Sequence, residues 1–260
     1  MLAAAQIDTA PSLNGFNDQD APDAGLGEKA AALNARLRGL PAEDILRTAI
    51  LEAFRGEIAL VSSFGTEAAV MLHMVSLIDR TIPLVFLDTG MHFPQTLDYR
   101  DELIQRLGLS DVRSIEPNPE ERAEKDPKNM LWKTDPDACC GFRKVTPLDS
   151  ALAPFSAWIT GRKRFHGGSR GRLAPIEFNA GQVKVNPLIE WDPERIDAYF
   201  TAFNLPRHPM MEMGYRSIGC WPCTQPSKDG EGVRSGRWQG QQKTECGIHK
   251  SPAFSDGAGI

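Results

Sequence analysis

No apolar run in the sequence approaches the roughly 20 residues that a helix needs to cross a bilayer, and the longest apolar stretches are broken by charge or proline. The reading is therefore a protein without a membrane segment. Residues 1–28 hold no Lys or Arg, so the start lacks the basic region of a secretory signal and the arginines of an organellar transit peptide. Five acidic side chains there (Asp8, Asp18, Asp20, Asp23 and Glu28) account for the whole net charge of −5 and leave the remainder formally neutral. Residues 1–28 read as a disordered acidic leader, and the protein as cytoplasmic. Internal repeats are absent, which excludes a solenoid. Cysteines are few: five, an odd number, with none of the usual secreted spacings. Metal-binding or catalytic thiols in a reducing compartment fit that count better than a disulfide framework.

What remains is an ordinary globular composition, 41% hydrophobic and 24% charged over 260 residues, enough for one large α/β domain with appendages. Apolar residues recur at helical spacing over 29–40 and 42–54, with Pro41 as the break. Residues 57–62 read as a short buried strand, followed by Ser63-Phe64-Gly65-Thr66-Glu67 and an apolar-rich helix over 68–78. Strand, small-residue turn and helix present backbone N–H groups and a helix dipole to an anion. A second buried strand over 82–87 ends in Asp88-Thr89-Gly90, a helix covers 93–107, and a third strand covers 112–115. This alternation predicts a doubly wound, mostly parallel sheet with ligands outside the carboxyl ends of its strands. Ser62–Gly65 and Asp88–Gly90 both fall at that edge.

Asp135 or Asp137 is placed to cap a helix that carries Cys139-Cys140, with Arg143-Lys144 after it. A strand over 156–160 opens into the loop 161–172, which is glycine-rich and bears Arg162, Lys163, Arg164, Arg170 and Arg172. Its single aromatic, Phe165, gives little stacking surface for bases, so nucleic acid is not expected as a partner. A hairpin is predicted from 176–178 and 183–185 across Asn179-Ala180-Gly181, and a helix over 192–203 capped by Asp192 with Pro193 in its first position. From Ser227 hydrophobic periodicity stops, so Arg234, Arg237, Lys243 and Cys246 lie on a tail that must dock to be ordered.

Cys246 stands three residues before His249 in a polar, Gly-containing run. A thiolate is the reactive form, and a neighbouring cation favours it. Taken alone, an incidental surface thiol is the simpler reading; the other four cysteines reverse it. Cys220 and Cys223 have a metal or redox spacing, and Cys139-Cys140 supply two more thiols. Four sulfur ligands suit zinc or an iron–sulfur cluster. Adjacent cysteines turn awkwardly toward one ion and more easily toward separate corners of a cubane, which favours the cluster.

Cys139-Cys140, then Cys220-x-x-Cys223, then Glu245-Cys246-Gly247-Ile248-His249 together resemble the assimilatory adenylylsulfate (APS) reductases of the phosphoadenylylsulfate (PAPS)/APS reductase family, over roughly residues 45–250. The resemblance implies a PP-loop-like α/β fold of the adenine nucleotide alpha hydrolase type, with a reductase domain over 29–226 and a mobile catalytic tail over 227–260. It implies a [4Fe–4S] cluster on Cys139, Cys140, Cys220 and Cys223, and reductive cleavage of APS to sulfite and AMP with thioredoxin, or a glutaredoxin-like protein, as donor. By the same resemblance Ser62, Ser63, Phe64, Gly65, Thr66 and Glu67 form the phosphate-binding loop, and Leu87, Asp88, Thr89 and Gly90 the nucleotide-contacting turn. Arg162 and Lys163 resemble the arginine loop; Lys144, Arg234, Arg237 and His249 resemble the cations around the phosphosulfate, and Cys246 the nucleophile. Residues 165–170 depart from the Asp-Gln-Ser type of loop, and Trp221-Pro222 is bulkier than in many relatives.

The chemistry agrees with the residue types. A sulfonyl sulfur is electrophilic but wrapped in negative charge, so a thiolate reaches it only where cations screen that charge. With four thiols on a cluster no internal resolving thiol remains, which argues separately for a thiol-bearing donor protein. The rivals are a PAPS reductase, an ATP-dependent tRNA sulfurtransferase, and a metal-bearing regulator that binds nucleic acid. The sulfurtransferase would carry a Ser-Gly-Gly-x-Asp-Ser type of loop where this chain has Ser62-Ser63-Phe64-Gly65-Thr66-Glu67. Homo-oligomerisation is left open.

Overall fold

The computed structural model describes residues 21–228 and 230–249; residues 1–20 of the expected leader and 250–260 of the expected tail lie outside them. Helix α1 (Ala21–Leu37) begins inside the stretch expected to be leader. Leu26, Ala30, Leu33 and Leu37 explain this: they recur on one helical face and pack into the main core. Helix α2 (Ala42–Arg47) continues as a π-helical turn over Thr48–Ala53.

Strands β1 (Ile58–Val61), β2 (Leu84–Leu87), β3 (Val112–Ile115) and β4 (Ala157–Ile159) follow in chain order, with α3 (Ala68–Ser76) and α4 (Pro94–Leu107) in the first two crossovers. Helices α5 (Pro119–Lys125), α6 (Leu131–Thr134), α7 (Pro136–Cys140) and α8 (Thr146–Leu152) lie between β3 and β4. Strands β5 (Ile176–Asn179) and β6 (Gln182–Val185) form the expected hairpin, and α9 (Pro193–Ala202) comes last. Ala180 and Gly181 at its tip both have positive φ, +52° and +76°, the backbone twist that a two-residue turn between antiparallel strands requires.

These strands make one six-stranded sheet in the order β3-β2-β1-β4-β6-β5. All pairs are parallel except the β5–β6 edge, the doubly wound arrangement that the alternation predicted. β1 and β2 are almost wholly apolar because both faces of a parallel sheet are covered. Successive residues face opposite sides: Ile58 and Leu60 enter the larger core, while Ala59 joins Val85, Leu87, Leu148, Leu152, Phe155 and Trp158 in a smaller one. Ile248, from the tail, packs against that smaller core. The direction of connection reverses between β1 and β4, so Ser62 and Thr160 flank the switch point where such sheets bind ligands. Among the described residues no helix is long and apolar enough to cross a membrane.

Candidate active site

A cleft opens at the carboxyl edge of the sheet. Its walls bring together residues far apart in sequence: Ser62, Ser63, Gly65, Thr66, Glu67, Leu87, Lys144, Arg162, Lys163, Arg234, Arg237, Cys246 and His249. The turn after β1 is pinned from below. Phe64 sits at φ +48° and turns its ring into the core, edge-on to Phe86 at 5.4 Å, and its N–H donates to Ser62 Oγ at 3.2 Å. Phe64 therefore anchors the turn, while its neighbours face the cleft ahead of α3.

The structure places the turn after β2 differently from the resemblance. Leu87 lines the cleft, but Asp88, Thr89 and Gly90 do not. Thr89 is fully buried, its Oγ1 lies 3.3 Å from Cys220 Sγ, and its carbonyl accepts from Arg143 Nη1 at 2.7 Å. Trp221 N–H donates to Met91 O at 2.8 Å. This turn thus holds the second cysteine pair in place.

Cys139, Cys140, Cys220 and Cys223, none of them in a disulfide, line one small cavity behind the cleft. Asp135 caps α7 by accepting from Ala138 N–H at 2.9 Å and so fixes the helical turn bearing the first pair. Burial raises the Cys139 thiol to about 12 and also raises Cys140 and Cys223. Burial opposes the Cys220 thiolate as well, yet the charge of Lys144 and the Thr89 hydroxyl pull its pKa below the ordinary thiol value. Three buried donors on residues of this wall, Arg143 Nε, Arg237 Nε and Trp238 Nε1, have no hydrogen-bond partner among the described residues. Such N–H groups need an acceptor, and a sulfur-rich anionic group between the thiols would supply one. Among the described residues no three His, Cys, Asp or Glu side chains converge on a position for a single metal ion. Lys144 borders both the cavity and the cleft. Burial works against its charge, but Cys220, Cys246 and Cys140 outweigh that and raise its pKa.

The basic loop is less free than its composition suggested. Lys163 is buried and paired with Glu67 at 2.6 Å, and Arg162 is paired with Glu177 and held by Asn186 Oδ1 at 3.0 Å. Burial resists ionisation of Glu67, but the hydrogen bond from His166 and the charge of Lys163 prevail and bring its pKa to about 2. Arg237 spreads over the Trp238 ring at 4.4 Å and donates to Ile218 O at 3.2 Å. Gly219 permits that approach, because a Cβ there would lie 2.3 Å from Arg237 Nη2.

His249, which the resemblance sets among the cations around the phosphosulfate, lines the cleft with its ring parallel to Trp158, 1° apart in plane and 5.4 Å between centroids. Burial, reinforced by Arg162, Lys184, Arg170 and Arg234, drives its pKa well below 6.5, so the side chains around it hold the imidazole neutral at pH 7. Sequence reasoning also missed Trp158, His166 and Arg170 as lining residues of the cleft, and Lys184 as a support of the tail. Trp158 reads as a buried strand residue; Lys184, whose Nζ donates to His249 O at 3.3 Å, reads as an ordinary strand position. Burial lowers Lys184 to about 8, with Arg162 adding to the effect.

The comparisons with known proteins agree with this geometry. The family model for the phosphoadenosine phosphosulfate reductase domain matches residues 57–226. The chain is 47% identical over 229 residues to the adenosine 5'-phosphosulfate reductase of Mesorhizobium japonicum, covering 88% of this chain and 90% of that one. It is 38% identical over 239 residues to the phosphoadenosine 5'-phosphosulfate reductase of Gloeobacter violaceus, covering 89% and 98%. The crystal structure of the phosphoadenylyl-sulfate reductase of Candida auris, a phosphate complex, superposes with a TM-score of 0.65 at 30% identity over 76% of this chain and 97% of that one. With a cysteine facing a cleft that holds several cations at the switch point of a PP-loop-type sheet, and with relatives of this closeness over most of their length, the chain belongs to the phosphoadenosine phosphosulfate reductase family.

Proposed function

We propose that the protein reduces adenylylsulfate to sulfite and AMP, with Cys246 as nucleophile. The observation that carries this reading is the meeting of Cys246, Lys144, Arg234 and Arg237 in one cleft with the turn after β1. The turn and the N-terminus of α3 suit the nucleotide's anionic groups. Lys144 and Arg237 suit the bridging phosphosulfate, where negative charge grows as the bond to sulfur breaks. The Cys246 thiolate attacks the sulfonyl sulfur, the sulfur–oxygen bond breaks, and its electron pair leaves on the AMP phosphate. The product is an S-sulfocysteine. A donor thiolate then attacks Cys246 Sγ and expels sulfite, and a second donor thiol releases the mixed disulfide, so that one dithiol is oxidised for each two-electron reduction. A thioredoxin-like protein has the required chemistry. Two relatives named for adenylylsulfate stand at 47% and 48% identity, against 38% for one named for the 3'-phosphorylated nucleotide, which supports adenylylsulfate as substrate.

The residues of the smaller cavity fit a [4Fe–4S] cluster: four thiols in its lining, three N–H donors unpartnered among the described residues, and an adjoining Lys144. Cys139, Cys140, Cys220 and Cys223 would hold it. When bound, it would tie α7 to the Cys220–Cys223 loop and place its charge beside Lys144, while the two-electron thiol chemistry asks no iron to change oxidation state.

The test is sulfite release from adenylylsulfate and its 3'-phosphorylated form, side by side, with thioredoxin. Without donor, the peptide holding Cys246 gains the mass of one SO₃ group, which thiol removes. Cys246→Ser keeps about four iron per chain and releases no sulfite; an adduct on another cysteine, or turnover by that variant, refutes the assignment.

A further inference from the structure

Between residues 227 and 249 the tail forms turns, bends and one bridge, Thr224 with Arg237, so side-chain contacts decide where Cys246 lies. The residue just before it, Glu245, is the end of a chain of ionic contacts that starts at the turn after β1. Lys163 Nζ lies 2.6 Å from the Glu67 carboxylate, and His166 Nε2 lies 3.4 Å from the same oxygen. Arg170 Nη1 donates to His166 Nδ1 at 3.1 Å. The other face of the Arg170 guanidinium grips Glu245 with two bonds, 2.7 Å from Nε and 2.9 Å from Nη2. Arg234 Nη2 adds a contact at 3.2 Å to Glu245 and one at 2.9 Å to Thr244 O.

A solvated ion pair holds little, but this one is not solvated: the side chains of Arg170 and Glu245 are only 12% and 22% exposed. The two parallel bonds fix direction as well as distance. Gly247 follows Cys246 at φ +96°, a conformation that lets the chain turn sharply between the Glu245 grip and the Ile248 and His249 contacts beyond it.

We propose that Arg170 and Glu245 are positioning residues for Cys246. The pair fastens the nucleophile's segment to the basic loop and, through His166, Glu67 and Lys163, to the turn that faces the nucleotide. Neither side chain needs to touch substrate in this role. Arg234 is shared between the tail and the cleft, so an anion in the cleft competes with Glu245 for it, and Arg170 keeps the segment in place when Arg234 turns to the anion. The catalytic consequence rests on the reductase reading; the fastening itself does not.

The test uses the full chain with its metal content intact and follows iodoacetamide labelling of the Cys246 peptide by mass. Glu245→Gln and Arg170→Gln each raise the labelling rate about tenfold, the loss of one charged hydrogen-bonded contact. The double variant labels no faster than either single one, because both break the same fastening. Glu245→Asp, which keeps the charge, stays within about threefold of the parent. Unchanged labelling in the single variants, or effects that multiply in the double, overturns the proposal, and so does equal labelling of the Asp and Gln variants. In turnover with adenylylsulfate, Glu245→Gln lowers kcat about tenfold and leaves KM within about twofold, since position rather than binding is lost. If the labelling results hold and the parent forms no Cys246 adduct with adenylylsulfate, the reductase reading fails and the fastening stands.

Discussion

Acidification should loosen the tail through His249. The ring is stacked on Trp158 with Nδ1 buried and without a partner among the described residues, and burial followed by four nearby cations keeps its pKa well below 6.5. A released tail returns the imidazole to an ordinary value near 6.5. The released form therefore binds more protons below that pH, so docking is at full strength above about 6.5 and weakens as pH falls toward the depressed value of the docked state. Each pH unit in this window is worth about 1.4 kcal/mol. Between pH 7.5 and 5.5 the released fraction should rise about tenfold. Glu245 does not contribute: burial resists its charge, but Arg170 holds its pKa below 4.5, so it stays ionised throughout. His166 does share the window, because burial lowers it too and its Nδ1 accepts from Arg170. Hydrogen exchange of the 241–249 amides, normalised to intrinsic rates at each pH, reads the opening directly. His249→Gln should flatten most of the rise, and His166→Gln should leave most of it. A flat profile in the parent, or an undiminished slope in His249→Gln, refutes the reasoning.

Two further outcomes test the frame around the cysteines. Asp126, 4% exposed, pairs with the fully buried Arg143 at 2.9 Å and accepts from Met130 N and Leu131 N. Asp126→Asn keeps the backbone acceptor but removes the counter-charge of the buried guanidinium, at a cost of about 3–5 kcal/mol and a melting temperature lower by about 6–20 °C; an unchanged melt would mean the pair is dispensable. Gly236→Ala puts a Cβ 2.0 Å from Gln225 O, which must push apart the strand-like contact that carries Arg237 and Trp238. Differential scanning should show a loss of about 1–3 kcal/mol and turnover should fall at least tenfold, whereas parent-like behaviour in both would show that this contact yields freely.

Much of the fold is local and was readable from the chain alone. Apolar runs such as Ile58–Val61 and Leu84–Leu87 encode strands buried on both faces whatever their partners are. Asp192 with Pro193, and Asp135 with Pro136, encode helix starts because the capping bond spans three residues or fewer. The two cysteine pairs and the Cys246 segment carry their chemistry in spacing. Tertiary structure decided which distant groups meet, and that changed their chemistry. The acidic, glycine-bearing start of α1 looks like leader until the sheet offers its apolar face a surface. Thr89 looks like part of a nucleotide turn, but packing hands its hydroxyl to Cys220. Lys163 looks free until folding places Glu67 against it, and Glu245 has no visible partner until Arg170, 75 residues away, closes on it. His249 shows the difference most sharply. Its place in the motif marks it as part of the site, but whether it carries a proton depends on desolvation beside Trp158 and on four cations brought from three separate segments, quantities that exist only after the chain has folded.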